Sequence, residues 1–211
     1  RSTPDAWDDF WYSGTSQSSA AGVTVDQARA LRTSAVYACV RVLSTTVAQL
    51  PFILYRRTAA GRDRATSHSL YTVVHDRPNA ETTAYMFWET LMAALVLRGN
   101  AYAYIERSRV GRVIALWQFL DPDRMTVKRD DQTDELTYTY QPPAGAREVY
   151  TPDEIMHLRG LSGDGAIGYS MIDVAREAIG LASAAEGFGA RLFAGDATPS
   201  GILEHPGKLG P

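Results

Sequence analysis

Apolar residues recur along this chain with two periods, and the change from one to the other divides it. Thr24 with Gln27 three residues on has the form of a capping box, in which each side chain satisfies a backbone N–H at a helix start, so a short helix is expected there. Val36, Val40, Leu43, Val47 and Leu50 recur at intervals of four and three, which predicts a second helix from about Ser34 to Leu50 with one apolar stripe, closed by Pro51. Phe52-Ile53-Leu54-Tyr55 reads as a buried strand, followed by a polar, arginine-containing turn around Gly61. A short helix from His68 to His75 is expected to stop ahead of Pro78, because the residue before a proline is pushed out of the helical region. From Thr83 to Leu97 the pattern is again helical, with Phe87, Leu91, Ala94 and Leu95 on one face, more apolar residues elsewhere, and Gly99 as the stop. A helix apolar nearly all round belongs at the centre of the fold.

After Gly99 the period shortens to two. Ala101 to Glu106, Val113 to Phe119, Met125 to Arg129, Glu135 to Tyr140 and Glu148 to Tyr150 are β-prone runs between Gly, Pro or Asp-rich breaks, which predicts an antiparallel meander. Thr151-Pro152-Asp153-Glu154 has the form of a helix start, and a last strand, Ile155 to Arg159, leads into a glycine-rich loop. Ser170 to Phe193 then carries the longest helical pattern, about 24 residues or roughly 36 Å. Its second half, Gly180 to Ala190, is dense in Ala, Gly and Ser, which weakens a helix but lets a neighbour approach closely. The expected class is α+β: helices packed on an antiparallel meander, followed by a long protruding helix.

Composition narrows the function. The formal net charge of -3 disfavours a domain whose main task is to grip nucleic acid. Cys39 is the only cysteine, so neither an internal disulfide nor a cysteine-based zinc site is available. The four histidines, His68, His75, His157 and His205, lack metalloprotease spacing, and no run approaches the ~20 apolar residues of a membrane span. No cofactor and no membrane partner are expected. Residues before Gly22 are polar and aperiodic except for Trp7, Phe10, Trp11 and Tyr12, which either dock on another subunit or fold back on their own body. The opening on Arg1 and the unpartnered strand start at Gly201-Ile202-Leu203-Glu204 read as those of a fragment.

Three motifs bear on chemistry. Gly163-Asp164-Gly165-Ala166-Ile167-Gly168 fits G-x-G-x-x-G between a strand and a helix, as in a dinucleotide site, so a nucleotide-binding enzyme is one alternative. The acidic residue that should end a second parallel strand is missing, since Glu186 lies in the same helix, and a turn is the simpler reading. Gly168-Tyr169-Ser170-Met171-Ile172 begins like a nucleophile elbow but has Ile172 where the second glycine belongs, so Ser170 reads as a helix cap. Arg56, Arg57, Arg62 and Arg64 at one expected hairpin tip, and Arg107, Arg109 and Arg112 at another, are solvated turn charges or phosphate contacts.

In order, the chain carries Ser34-Ala35-Val36-Tyr37-Ala38-Cys39-Val40-Arg41 running to Leu50-Pro51, His68 to Asn79, and Gly99-Asn100-Ala101-Tyr102-Ala103-Tyr104-Ile105. Ile155-Met156-His157-Leu158-Arg159, Gly165-Ala166-Ile167-Gly168-Tyr169-Ser170 with its Ala-rich helix, and Pro199-Ser200-Gly201-Ile202-Leu203 follow. Each is weak alone, but their order, over about Thr24 to Leu203, resembles the portal proteins of long-tailed, double-stranded DNA phages.

That resemblance implies a structural subunit, not an enzyme, in a ring of usually twelve identical subunits at one capsid vertex, assembled in the host bacterial cytoplasm. Its implied partners are terminase, the major capsid or scaffold protein, a head-to-tail adaptor, and double-stranded DNA passing through without specific binding. The implied divisions are a tail over 1–23, a wing-like α+β domain over 24–160, a glycine loop and stem helix over 161–197, and a truncated clip over 198–211. On the helix, Ala178, Ala182, Ala185 and Gly189 are the expected contacts with identical helices, and Arg107, Arg109 and Arg112 are the expected DNA-proximal residues. A generic bacterial interaction module remains the other alternative.

Overall fold

The computed structural model describes residues 17–118, 120–130 and 133–195. The aromatic residues Trp7 to Tyr12, His205 and the expected strand after Pro199 lie outside these. The fold is α+β. Its elements are β1 (Gln17–Ser18), β2 (Thr24–Val25), α1 (Gln27–Ala30), α2 (Ser34–Ala48), β3 (Tyr55–Thr58), β4 (Gly61–Arg64), α3 (Ser69–His75) and α4 (Ala84–Arg98). Then come β5 (Asn100–Arg107), β6 (Val113–Trp117), a 3-10 turn (Pro122–Arg124), β7 (Met125–Arg129), β8 (Leu136–Tyr140), β9 (Glu148–Tyr150), β10 (Ile155–Arg159), α5 (Met171–Val174) and α6 (Arg176–Ala194).

α4 is central, as its all-round apolarity predicts. Thr83 caps its start by accepting from Met86 N–H, and Gly99 ends it in the left-handed region at φ 72°. One core gathers Phe87, Trp88 and Leu91 of α4 with Ala48, Val73, Ala101, Ala103 and Leu116. Phe52 stacks on Trp88 with ring centroids 3.9 Å apart. Truncating the fully buried Phe87 would cost about 3–5 kcal/mol. On the other side of α4, Leu97 joins Val40, Val25, Ala30, Ile172 and Ile179 in a second core.

The expected single meander is two antiparallel sheets, ordered β10-β5-β6 and β7-β8-β9. The 3-10 turn, with Asp121 capping it and Pro122 at its first position, ends the pairing after β6 and redirects the chain. β10 then returns to pair with β5, from Ile155↔Tyr104 to Arg159↔Asn100. Strand alternation makes β5 the shared wall: Ala101 and Ala103 face the helices, while Tyr102 meets Leu120, Tyr138, Tyr140 and Ile155 in a third core between the sheets.

Several local expectations fail for identifiable reasons. Thr24 pairs with Ser18 in a strand, and Asp26 caps α1 instead, accepting from Arg29 N–H at 2.6 Å. On α2 the buried positions are Val40, Ser44 and Ala48, with Leu43 and Leu50 exposed, so the inward face is rotated from the apolar stripe. Phe52 to Leu54 precede the strand, which starts at Tyr55 and pairs with β4. Thr151 to Glu154 form a turn, not a helix: the Glu154 carboxylate accepts from Thr151 N–H and hydroxyl at 2.9 Å, as at a helix start, but the chain continues into β10. The expected tail over 1–23 includes β1 and the turn that leads to β2, where Ser19 is buried against Gly180.

Candidate functional site

The long helix is set on the body by a joint of close-packed backbone. Gly160 N–H donates to Gly99 C=O at 2.8 Å, and a methyl group at Gly168 would strike that same carbonyl. The buried Asn100 side chain locks the third segment in place. Its amide donates to Gly168 C=O at 2.9 Å and Arg98 C=O at 3.2 Å, and its oxygen accepts from Gly168 N–H at 2.8 Å. His157 Nε2, 3.0 Å from that oxygen, donates to it, which leaves Nδ1 to accept from the Tyr138 hydroxyl at 3.3 Å. Burial and nearby Arg159 push the His157 pKa down to about 4, so the ring is neutral in this network. One polar chain thus runs from the second sheet through the first to the turn before α5.

The glycine loop is filled by its own side chains. Asp164 accepts from Ala166 N–H at 2.8 Å and Ile167 N–H at 3.2 Å, and Gly165 N–H donates to the Ser162 hydroxyl at 3.0 Å. The N–H groups that would cradle a phosphate are already satisfied, partly by a carboxylate, and only the four-residue α5 follows, so the nucleotide-site reading fails. Ser170 caps α5, accepting from Asp173 N–H at 3.2 Å and donating to Leu97 C=O at 2.9 Å.

The expected 24-residue helix is two pieces, because Ala175 leaves helical geometry at φ -92°, ψ 8°. Asp173 and the buried Arg176 pair across this break at 2.6 Å. α6 keeps 19 residues, about 28 Å, of which Arg176, Ile179 and Gly180 are buried at its start. Past Gly180 the face towards the body carries Ser183, Gly187 and Ala190, which line a groove with Val23, Arg29 and Arg32.

The opposite face is apolar and open to solvent. Ala178, Leu181, Ala185, Phe188 and Leu192 recur at intervals of three and four, with Leu181 66% exposed, Phe188 63% and Leu192 42%. Of the residues expected from sequence, Ala178 and Ala185 stand in this stripe, while Ala182 and Gly189 flank it half-buried. Leu181, Phe188 and Leu192 were hidden among small residues that drew attention to close approach. The spacing of three and four was their signal.

The expected DNA-proximal arginines lie at the β5–β6 turn. Arg107 is tied down, donating to Gly111 C=O at 3.3 Å and Asp153 C=O at 3.0 Å, whereas the side chains of Arg109 and Arg112 are exposed. Among the described residues no helix is long and apolar enough to cross a membrane.

The family model for phage portal proteins matches residues 34–211. The probable portal protein of Streptomyces phage phiC31 is 33% identical over 199 residues, covering 90% of this chain and 43% of that protein. The portal protein of Enterobacteria phage HK97 is 31% identical over 188 residues, 88% of this chain and 43% of its own length. The chain therefore spans less than half of these curated relatives. Among solved structures, the neck of an empty GTA particle computed with C6 symmetry aligns with a TM-score of 0.70 at 23% identity, covering 95% of this chain and 56% of that one. An HK97 family portal protein from Corynebacterium diphtheriae aligns at 0.57 and 19% identity, covering 90% and 57%. At such identities the structural likeness speaks for the fold, while the family match spans most of the sequence: the chain belongs to the phage portal protein family.

Proposed function

We propose that this chain is the wing and first stem helix of a portal subunit, which assembles with identical copies into a ring at one capsid vertex, for packaging and release of double-stranded DNA. The observation that carries the reading is the solvent-facing stripe of Leu181, Phe188 and Leu192 with Ala178 and Ala185, on a helix whose other face already meets its own body. About three large apolar side chains in line on one helix favour burial by another helix. A solved neck related in fold carries C12 symmetry, which supports twelve subunits.

In this reading residues 24–160 are wing, 161–197 joint and stem, and 198–211 the start of a clip. Ala178, Ala182, Ala185 and Gly189 let the neighbouring stem approach, and the large residues between them fill the contact. The ring would seat terminase, then a head-to-tail adaptor, within a shell of capsid protein, first in the host cytoplasm and then in the virion. The role is architectural, with no residue assigned a chemical step.

The test uses the full-length subunit carrying Leu181→Asp with Phe188→Asp. Rings in electron micrographs should be lost while the thermal midpoint of the subunit stays within a few degrees of wild type. Normal ring yield in the double variant would refute the assignment of this face.

A further inference from the structure

Among the described residues the β3–β4 hairpin pairs with no other strand, and almost all of its side chains are exposed. Its register sets Tyr55 opposite Arg64, Arg56 opposite Asp63 and Arg57 opposite Arg62. Because strand side chains alternate, Tyr55, Arg57, Arg62 and Arg64 share one face, while Arg56 and Asp63 share the other. The arginines are therefore on the ribbon's face, with Ala59 and Ala60 at the turn instead. Tyr55, itself exposed, supplies the aromatic partner that the sequence concealed two residues from Arg57.

This arrangement works against the hairpin's own stability. Like charges directly opposite in an antiparallel pair repel, and a two-stranded ribbon is marginal to begin with. Among the described residues no hydrogen bond or ion pair engages any of these three guanidinium groups. The ribbon is nevertheless anchored at its base, where Ala65 is buried and its N–H donates to Leu54 C=O at 2.9 Å, next to Phe52 stacked on Trp88.

We propose that this face of the ribbon binds the phosphate backbone of duplex DNA without regard to sequence. Three planar forks within two strand positions match a partner that presents closely and regularly spaced anions, and arginine pairs bidentately with phosphate. Folded protein surfaces intersperse both signs of charge and would leave part of the face unmatched. In a chain of net charge -3 the patch is a local departure, so the contact is weak and salt-sensitive. The inference leans on the portal reading only for where the duplex comes from.

The experiment is fluorescence anisotropy of the full-length protein with a labelled 20-base-pair duplex of arbitrary sequence, across a salt series. Three phosphates neutralised by this face contribute about -2.7 to the slope of log affinity against log salt, or roughly 40-fold of the weakening between 50 and 200 mM. Arg57→Gln with Arg62→Gln should flatten the slope by about 1.8 and weaken binding at least tenfold at 50 mM, while Arg56→Gln on the reverse face leaves both unchanged. The double variant relieves a repulsion, so its thermal midpoint should hold or rise, which separates lost contact from lost fold. Unchanged duplex binding by the double variant overturns the proposal, as does displacement of duplex by polyglutamate at equal charge concentration. Ring yield, scored separately, reports on the portal reading alone.

Discussion

Replacing Asn100 by alanine tests whether the joint is held as described. The side chain makes four hydrogen bonds, two of them to the buried N–H and C=O of Gly168. Alanine leaves those two backbone groups without their partners, and each buried unsatisfied group costs about 1–3 kcal/mol. The half-buried His157 N–H and the Arg98 carbonyl find water more easily and add less. A loss of about 3–5 kcal/mol follows, a large part of the roughly 5–15 kcal/mol that stabilises a typical domain. Urea unfolding followed by far-ultraviolet circular dichroism measures it, and hydrogen exchange at residues 168–174 should rise before global unfolding. A loss below about 1 kcal/mol with unchanged exchange would refute the reasoning. Asn100→Asp sharpens the test: a carboxylate 3.0 Å from His157 Nε2 favours the imidazolium, so the His157 pKa should rise well above about 4.

Three further outcomes are expected. His157 titrates at about 4 when folded and 6.5 when unfolded, so between these values the unfolded state binds more protons and stability falls as pH falls. The gap corresponds to about 3 kcal/mol at face value and about 1–2 kcal/mol once solvent screening of the half-buried ring is allowed for; it is fully present above pH 6.5, and His157→Gln should flatten the pH dependence of the denaturation midpoint. Gly99→Ala forces a side chain into φ 72° and against the Tyr169 carbonyl, so little folded protein should be recovered by size exclusion, whereas Gly111→Ala, at φ 78° with open space around it, should cost only about 1–2 kcal/mol. Phe87→Ala should lower stability by about 3–5 kcal/mol in urea titration while leaving two-state unfolding intact.

What could be read from sequence was the local and strongly periodic part. α4 declared itself through its apolar residues and its stop at Gly99, and Ser170 was recognisable as a cap. The sheet arrangement was not legible, because β10 pairs with β5 across some fifty intervening residues and nothing in either strand names the other. The rotation of α2 was hidden for a related reason: small Ser44 and Ala48 face inward where α4 comes close, and Leu43 and Leu50 are left outside. On α6 two of the residues expected at a helix contact, Ala178 and Ala185, lie in the exposed stripe, while its large residues went unremarked in the sequence. On the β3–β4 ribbon the arginines were noticed, but their gathering on one face with Tyr55 depends on register, which pairing alone reveals.

The contact among Gly99, Gly160 and Gly168 ties the heading of the long helix to completion of the whole body. Residues far apart in the chain must meet before the turn ahead of α5 can close, so a nascent or partly opened subunit has no defined direction in which to present Leu181, Phe188 and Leu192. In the proposed ring, association through that stripe would thereby be coupled to maturity of the fold: a newcomer would arrive either correctly oriented or without a usable edge.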